Sequence, residues 1–352
     1  MRSKLGRAFA VLAALAILAL GGSANAADDA HTLSVRLDWL PSGYHAPIWE
    51  AVNKGWFKKA GIDVTITDGN GSATTAQLVG TGQFDVGWAA LSNMAFAHSK
   101  GMPVISVAGF FRKGDLALLV PKDSPIQGPK DLKGKHLITT PGSLESPFLD
   151  AFFAKGGITR ADLELLNVDA SAKVSTYIAG RGDGVFTSTA FTLPVVNAKR
   201  PTRPILFADA GLNVPGFGLF TTKSVLQKKG DAVRKFASIV AGSWTYVLNG
   251  HEEEAAKAVL KNREQARLDE TLVLAQLKAS VPFLHTAASA KLPIGLQDDQ
   301  DWADAIKAME QAGFQVTINA EGPGDRVGSY SPTTPEPKGT TITLNIGLLS
   351  GL

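Results

Sequence analysis

Residues 37–64 read LDWLPSGYHAPIWEAVNKGWFKKAGIDV and hold the pattern that decides the fold. The apolar run that ends before Asp38 predicts a strand, and Ala46–Lys54 predicts an amphipathic helix ended by Gly55. A second strand is predicted from Val64. A strand, a turn, a helix and a strand within about thirty residues are typical of a sheet covered by helices. Polar and aromatic residues gathered in the turn above such a strand are where sheet proteins usually bind small molecules.

The N-terminus has the pattern of a secretory signal peptide. Three basic residues precede an apolar run over residues 8–20, and Ala24-Asn25-Ala26 is a small-x-small cleavage site. We therefore expect a signal peptide over residues 1–26 and a mature chain that starts at Ala27. The alternative is an uncleaved N-terminal helix.

Charge and cysteine content limit the class of protein. The whole chain has a formal charge of +3, and Arg2, Lys4 and Arg7 of the signal account for all of it, which leaves the mature chain neutral. A neutral chain is a poor binder of nucleic acid or of a membrane surface. The sequence has no cysteine, which excludes disulfides, a thiol nucleophile and a lipid-modified N-terminal cysteine. An exported protein that diffuses freely in the periplasm is therefore expected.

Strand and helix patterns alternate through the first hundred mature residues and then start again after Phe110-Phe111. About 325 mature residues exceed what one hydrophobic core usually serves. The sequence thus predicts an α/β protein of two lobes, each a mostly parallel sheet flanked by helices, with crossings near Gly109–Asp115 and Asp209–Gly216. The predicted ranges are a first part of lobe 1 at 27–110, an inserted lobe 2 at 111–213, a second part of lobe 1 at 214–318, and a C-terminal tail at 319–352. The tail is rich in Gly, Pro, Thr and Ser, and we expect it to be poorly ordered apart from an edge strand near Thr340–Ile346.

These residues resemble a known group. The run Asp38-Trp39-Leu40-Pro41, His45, Gly55-Trp56-Phe57 and Gly61-Ile62-Asp63-Val64 is similar to the opening of the periplasmic substrate-binding proteins of ABC importers, and segments 80–87 and 180–185 fit as well. Within that group it resembles the subfamily for thiamine-pyrimidine precursors, nitrate, sulfonates and taurine, over roughly residues 33–248. Asp-Trp-x-Pro followed by an aromatic residue and His is most typical of the pyrimidine-precursor branch.

The resemblance implies a type II periplasmic-binding-protein fold, a ligand held between the lobes, and an ABC permease and ATPase at the inner membrane as partners. It also implies a monomer that needs no cofactor. The same branch resembles the fungal enzyme that makes the thiamine pyrimidine, but the chemistry of that enzyme needs cysteines, which this chain lacks. A binding protein is therefore favoured over an enzyme, and a sensor domain remains an alternative.

In such a fold the ligand lies at the carboxyl ends of strands and the N-termini of helices. The first candidate segment is the turn with Asp38, Trp39, Tyr44 and His45, whose rings could sandwich a flat ligand while Asp38 accepts hydrogen bonds from a ring amino group. The alternative is that Trp39 fills the core and Asp38 caps the turn.

Three further segments complete the candidate site. Asn70 and Ser72 lie in a glycine-rich turn before a helix, which suits an anion or another acceptor, although Ser72 could instead be a plain helix cap. Trp88 follows a strand and precedes two small residues, so its indole could form a cleft wall or pack in the core.

The remaining segment belongs to lobe 2 and includes Ser143, Glu145 and, after a strand, Thr187. Glu145 in a first helical turn would repel nitrate or sulfonate and suit a donor such as an aminopyrimidine, or it could be a solvent-facing cap. A sulfonate, taurine or nitrate binder would be favoured if Arg112 or Arg181 lined the cleft. We predict no catalytic residue and no metal site, because the histidines show no ligand spacing and Ser143 is not in a nucleophile elbow.

Overall fold

The computed structural model describes residues 30–311, 314–318 and 340–344. The predicted signal peptide and most of the predicted tail lie outside these residues. Within the described ranges, no helix combines the length and the apolar character needed to cross a bilayer.

The described residues form strands and helices in alternation. The strands are β1 (Thr32–Arg36), β2 (Asp63–Thr67), β3 (Val86–Ala90), β4 (Val104–Gly109), β5 (Leu116–Pro121), β6 (His136–Thr139), β7 (Glu164–Asn167), β8 (Gly184–Ser188), β9 (Thr202–Leu206), β10 (Phe217–Thr222), β11 (Phe314–Ile318) and β12 (Thr340–Leu344). The helices are α1 (Ala46–Asn53), α2 (Trp56–Lys59), α3 (Ser72–Gly80), α4 (Leu91–Ser99), α5 (Leu149–Lys155), α6 (Ala170–Ile178), α7 (Thr189–Asn197), α8 (Lys223–Leu248), α9 (Glu252–Asn262), α10 (Glu270–Ser280) and α11 (Asp299–Gln311).

Two five-stranded sheets confirm the predicted two-lobed α/β architecture. The first has the strand order β2-β1-β3-β10-β4 and the second has the order β7-β6-β8-β5-β9. In each sheet all strands but one run in the same direction. The exceptions are β10 and β5, each of which pairs antiparallel with both of its neighbours.

The two reversed strands are the ones by which the chain enters a sheet after crossing between lobes. The chain leaves β4 after Gly109 and enters β5 at Leu116, and it leaves β9 after Leu206 and returns to β10 at Phe217. The other strands of each sheet end at the edge that faces the opposite lobe. A chain that crosses at this edge enters the next sheet at the end where the other strands finish. Its first strand there therefore runs antiparallel to them.

The lobes are in contact. Helix α8 packs on the first lobe, where Phe236 stacks on Phe57 with ring centroids 5.1 Å apart, and in the second lobe Phe152 stacks on Phe207 at 4.1 Å. Ala190 and Phe191 of the second lobe nevertheless belong to the apolar cluster that fills the first lobe. Helix α7 of the second lobe also packs against α10 of the first. The structure is thus a closed form, in which the two lobes are in direct contact.

Candidate functional site

A small pocket lies between the lobes, at the edge where the parallel strands end. The room that it leaves in this structure is about 10 Å³, about the space of one water molecule. The first lobe contributes the residues that follow β1 and β2, and the second lobe contributes those near β6, α6 and β8. The lining residues are Asp38, Trp39, Tyr44, Ser72, Leu144, Lys173, Thr187, Ser188 and Phe191.

Asp38 organises the wall from the first lobe. Its carboxylate accepts a hydrogen bond from the Tyr44 hydroxyl at 3.0 Å through Oδ2, and its Oδ1 lies 2.8 Å from Nε2 of His45. All three side chains are buried. Burial, and then the nearby Asp38 charge, raise the pKa of Tyr44, which keeps its hydroxyl protonated as a donor. Asp38 therefore fixes the orientation of Tyr44 while it lines the pocket itself.

Aromatic rings from both lobes meet at the pocket. The Trp39 and Phe191 rings lie edge to face with centroids 6.3 Å apart, and Tyr44 and Phe191 make a similar contact at 6.4 Å. The indole nitrogen of Trp39 is buried and has no hydrogen-bond partner among the described residues. All three rings are buried in the apolar cluster of the first lobe, and Tyr44 also stacks on Phe217 with ring centroids 5.1 Å apart.

The polar wall of the second lobe is a buried ion pair. The ammonium of Lys173, in the first turn of α6, lies 2.7 Å from Oε1 of Glu145 and 5.2 Å from the ring centroid of Trp39. Burial lowers the pKa of Lys173, and the Glu145 carboxylate opposes that shift. Lys173 lines the pocket, whereas Glu145 lies behind it.

The N-terminus of α3 is occupied by the second lobe. The backbone N–H groups of Ala73 and Thr74 donate to the carbonyl oxygen of Gly142 at 3.0 and 3.2 Å. Ser72 lines the pocket, and its hydroxyl accepts a hydrogen bond from the Ala90 N–H at 3.3 Å. Because a backbone acceptor already uses these helix N–H groups, they do not bind an anion in this closed form.

Five of the ten side chains proposed from the sequence line the pocket: Asp38, Trp39, Tyr44, Ser72 and Thr187. The other five have different surroundings. His45 contacts Asp38, and Glu145 contacts Lys173, so both lie directly behind residues that line the pocket.

Ser143 lies beside the ion pair, with its hydroxyl 3.5 Å from the Lys173 ammonium, whereas Asn70 and Trp88 lie elsewhere. The Ser143 hydroxyl donates to the Thr140 carbonyl at 2.7 Å, and exposed Asn70 accepts a hydrogen bond from Arg36. Trp88 is fully buried in the core, where it contacts the ring of Phe110.

Ser188, expected together with Thr187 to complete the wall after β8, lines the pocket, and so does Leu144 of the candidate segment 140–146. Lys173 and Phe191 line the pocket but were not proposed from the sequence. A detectable signal for Phe191 was its position just after β8, where Thr187 was already a candidate. Lys173 carried no such signal, because a lysine in a helix with a polar face normally points to solvent.

Asp115, on the first crossing segment, is a further buried acid next to the pocket. Its carboxylate accepts hydrogen bonds from the Ser188 hydroxyl and from the N–H of Ala190, the latter at 3.2 Å. Burial raises the pKa of Asp115 to about 6, with a smaller contribution from Asp38, although the two hydrogen bonds oppose the shift. Asp115 thus connects the crossing segment to the start of α7 through a carboxyl group whose pKa is raised to about 6.

Within residues 30–311, no arginine lines this pocket. The guanidinium of Arg112 is buried against the segment 289–296, where it donates to the carbonyl oxygens of Leu296 and Leu292 among others. Arg181 is an exposed turn residue. The charged side chains that line the pocket are therefore Asp38 and Lys173, with Glu145 and Asp115 behind them.

Two lobes of this topology with a pocket between their strand ends define the periplasmic-binding-protein fold. The NMT1/THI5-like family model matches residues 42–255, and the chain belongs to this family.

Two named relatives align with very different fractions of this chain. The formylaminopyrimidine-binding protein of Halalkalibacterium halodurans is 24% identical over 314 residues, which make up 85% of this chain and 92% of that protein. A 4-amino-5-hydroxymethyl-2-methylpyrimidine phosphate synthase of Saccharomyces cerevisiae is 35% identical over 102 residues, only 29% of this chain and 30% of the synthase.

Among solved structures, the alkanesulfonate-binding protein of Xanthomonas axonopodis superposes with a TM-score of 0.59. The match covers 80% of this chain and 94% of that one at 17% identity. At this identity, the likeness establishes the fold and leaves the ligand open.

Proposed function

We propose that this protein is the extracytoplasmic substrate-binding component of an ABC importer and that it binds a small polar aromatic ligand between its lobes. A pyrimidine precursor of thiamine is the favoured ligand. One observation carries the proposal: rings from both lobes, Trp39 and Tyr44 on one side and Phe191 on the other, converge on a single pocket with donors and acceptors in its wall.

The aromatic lining of the pocket supports a flat heterocycle. In this structure the pocket has room for about one water molecule, so the lobes must separate to admit a ring. Each stacked aromatic pair contributes about 0.5–1.5 kcal/mol beyond the burial of apolar area. Trp39 and Phe191 belong to opposite lobes, so a ring that contacts both would favour a form in which the lobes approach each other.

The charges of the pocket argue against the second candidate, a sulfonate, taurine or nitrate binder. A carboxylate in the wall of a pocket disfavours an anion in contact with it. Asp38 lines the pocket, and the Lys173 charge is already balanced by Glu145 at 2.7 Å. A helix N-terminus attracts anions, but that of α3 binds the Gly142 carbonyl instead. The fold likeness to an alkanesulfonate-binding protein is what supports this candidate.

Binding without catalysis is part of the proposal. The formylaminopyrimidine-binding relative aligns over most of this chain, whereas the yeast synthase aligns over 29% of it. The sequence has no cysteine for the chemistry that the resemblance to the fungal enzyme implies. We accordingly propose no cofactor and no catalytic residue.

The location and partners follow from the same proposal. The signal-peptide pattern at residues 1–26 directs the chain to the periplasm, where a monomer would deliver its ligand to a permease and an ATPase in the inner membrane. A sensor that presents the ligand-bound state to a receptor would use the same pocket. Adjacent genes for a permease and an ATPase would favour transport over sensing.

A ligand screen tests the proposal directly. We would measure the melting temperature of the purified mature chain with N-formylaminopyrimidine precursors, taurine, ethanesulfonate and nitrate, and then titrate each stabilising compound by calorimetry. The expected result is stabilisation by the pyrimidines and not by the anions. A response to ethanesulfonate or nitrate alone would reverse the order of the two candidates, and turnover of the bound pyrimidine would reject a purely binding role.

A further inference from the structure

Lys173 is a cation that the fold places inside the pocket wall. It is only 2% exposed, although lysines are almost never fully buried without a partner. Its partner is Glu145, which is fully buried, and the two residues approach from different segments, the start of α6 and the turn after β6. The pair is therefore a tertiary feature of the second lobe.

The ammonium of Lys173 keeps unused donor capacity. It carries three N–H donors, of which one points to Oε1 of Glu145 at 2.7 Å. The next acceptor is the Ser143 hydroxyl at 3.5 Å, a weak contact at the limit of a hydrogen bond. Because Lys173 lines the pocket, at least one donor is available to a ligand.

Glu145 is bonded so that its charge stays beside the ammonium. Its Oε1 also accepts from the Thr139 hydroxyl at 2.8 Å, and its Oε2 is buried with no partner in the described part of the chain. The carboxylate therefore balances the Lys173 charge without facing the ligand. The result is a donor group whose local net charge is zero.

The contact of Lys173 with Trp39 links this pair to the first lobe. The ammonium lies 5.2 Å from the ring centroid of Trp39, within the range of a cation–π interaction. Trp39 belongs to the first lobe and Lys173 to the second, so this contact exists only when the lobes are closed. A ligand bound beside Trp39 would thus be within reach of the Lys173 ammonium.

We propose that Lys173 and Glu145 are the specificity-determining pair of the pocket: Lys173 donates a hydrogen bond to an uncharged acceptor on the ligand, and Glu145 balances its charge so that anions are not bound. The acceptor is a ring nitrogen or a carbonyl oxygen of a neutral heterocycle. This proposal rests on the proposed function, since it assumes that the interlobe pocket is the ligand site.

The test uses the mature chain and three variants: Lys173→Met, Glu145→Gln and the double variant. Calorimetry at pH 6.5 would measure binding of an N-formylaminopyrimidine precursor and of ethanesulfonate, and circular dichroism would check folding. The wild type should bind the pyrimidine and not ethanesulfonate. Lys173→Met should bind the pyrimidine about tenfold to a hundredfold more weakly, because a hydrogen bond from a charged donor is lost. Glu145→Gln should gain ethanesulfonate binding through the unbalanced ammonium.

The double variant is the control that keeps the test decisive. Removing one member of a buried ion pair is strongly destabilising, whereas removing both charges together is often tolerated. The double variant should fold, bind the pyrimidine as weakly as Lys173→Met, and bind no ethanesulfonate. Wild-type pyrimidine affinity in the double variant would overturn the proposal, and so would ethanesulfonate binding by the wild type.

The outcomes separate this proposal from the proposed function. If the wild type binds no pyrimidine, but Glu145→Gln binds ethanesulfonate and the double variant does not, the charge-balancing role stands and the proposed ligand is wrong. If the wild type binds the pyrimidine and the double variant binds it equally well, the proposed function stands and the role of the pair is wrong.

Discussion

Gly71 of the first lobe and Gly142 of the second approach so closely that a β-carbon on Gly71 would lie 2.1 Å from the Gly142 carbonyl oxygen. The same carbonyl accepts the hydrogen bonds from the start of α3. Gly142 also has a φ of +76°, in the left-handed region that favours glycine. This contact joins the two lobes beside the pocket, and it requires the absence of a side chain on both residues.

Gly71→Ala should therefore prevent full closure. The added methyl group and the Gly142 carbonyl cannot occupy the same space, so the lobes must separate and the ligand loses contacts on one side. We expect ligand affinity to fall at least about tenfold, which corresponds to about 1.4 kcal/mol of closure energy. Small-angle scattering should show a larger radius of gyration with saturating ligand than for the wild type. Gly242→Ala is the matched control, because a β-carbon there meets no atom within 4 Å. Equal affinities of Gly71→Ala and wild type would contradict the closure argument.

Trp39→Ala should weaken binding of a pyrimidine ligand and should also lower stability, because Trp39 is buried in the apolar cluster of the first lobe. Loss of one ring face and of the buried apolar area should cost about 1.5–3 kcal/mol, or about tenfold to a hundredfold in Kd. The control is Trp56→Ala, since Trp56 packs on Tyr246 with ring centroids 5.3 Å apart and does not line the pocket. Calorimetry that gave Trp39→Ala the same Kd as Trp56→Ala would remove the stacking argument.

Asp115 predicts a specific pH dependence of stability. Its pKa rises from 3.8 to about 6 on folding, so between these values the folded state binds more protons than the unfolded state. Its contribution to the free energy of unfolding is therefore greatest below pH 4, falls as pH rises toward 6, and is lost above that. The full change is about 3 kcal/mol, because one pKa unit corresponds to about 1.4 kcal/mol.

The measurement is urea unfolding of the wild type and of Asp115→Asn at pH 4.5, 5.5 and 7. The uncharged variant should lack this contribution, so its stability relative to the wild type should increase between pH 4.5 and 7. A constant difference between the two proteins over that range would contradict the assignment. Ligand is omitted, so the result is independent of the proposed function.

Tyr44→Phe should lower the free energy of unfolding. The substitution removes the hydroxyl that donates to Asp38 and leaves a buried carboxylate oxygen with one donor fewer, which should cost about 1–3 kcal/mol. Tyr246→Phe is the matched control: its hydroxyl donates to Glu254 at 2.9 Å in a half-buried setting, and the expected loss is smaller. If chemical denaturation showed equal losses for the two variants, burial would not govern the strength of the Asp38 contact.

The sequence predicted the architecture better than the walls of the pocket. Alternating strand and helix patterns are local signals, and they indicated two α/β lobes whose strand ends carry the candidate residues. Glu145, expected in the first turn of a helix, lies ahead of it, because α5 begins only at Leu149 and the residues before it form a turn that places Glu145 beside Lys173. Ser72 was expected to cap α3, but it is the first helical residue, and Gly71 precedes it in the tight approach to Gly142.

The residues missed by sequence analysis depend on contacts between distant segments. Lys173 is buried because Glu145 and Trp39, which are remote in sequence, close around it. Phe191 forms part of the pocket wall only because the second lobe turns it toward Trp39. The burial of Trp88 likewise depends on the ring of Phe110. None of these environments follows from the spacing of residues along one element.

The first strand of the second lobe, β5, lies beside its last strand, β9, and this arrangement has a practical consequence. Strands β5 and β9 are neighbours in that sheet, and the N–H of Phe207 donates to the carbonyl of Leu116 at 3.0 Å, so the segment begins and ends at adjacent points. A segment with such termini can be transplanted between homologues with two short splice junctions and no change to the register of the other sheet. Chimeras built at these junctions would exchange the part of the pocket that one lobe contributes. Their ligand preference would show which lobe selects the ligand.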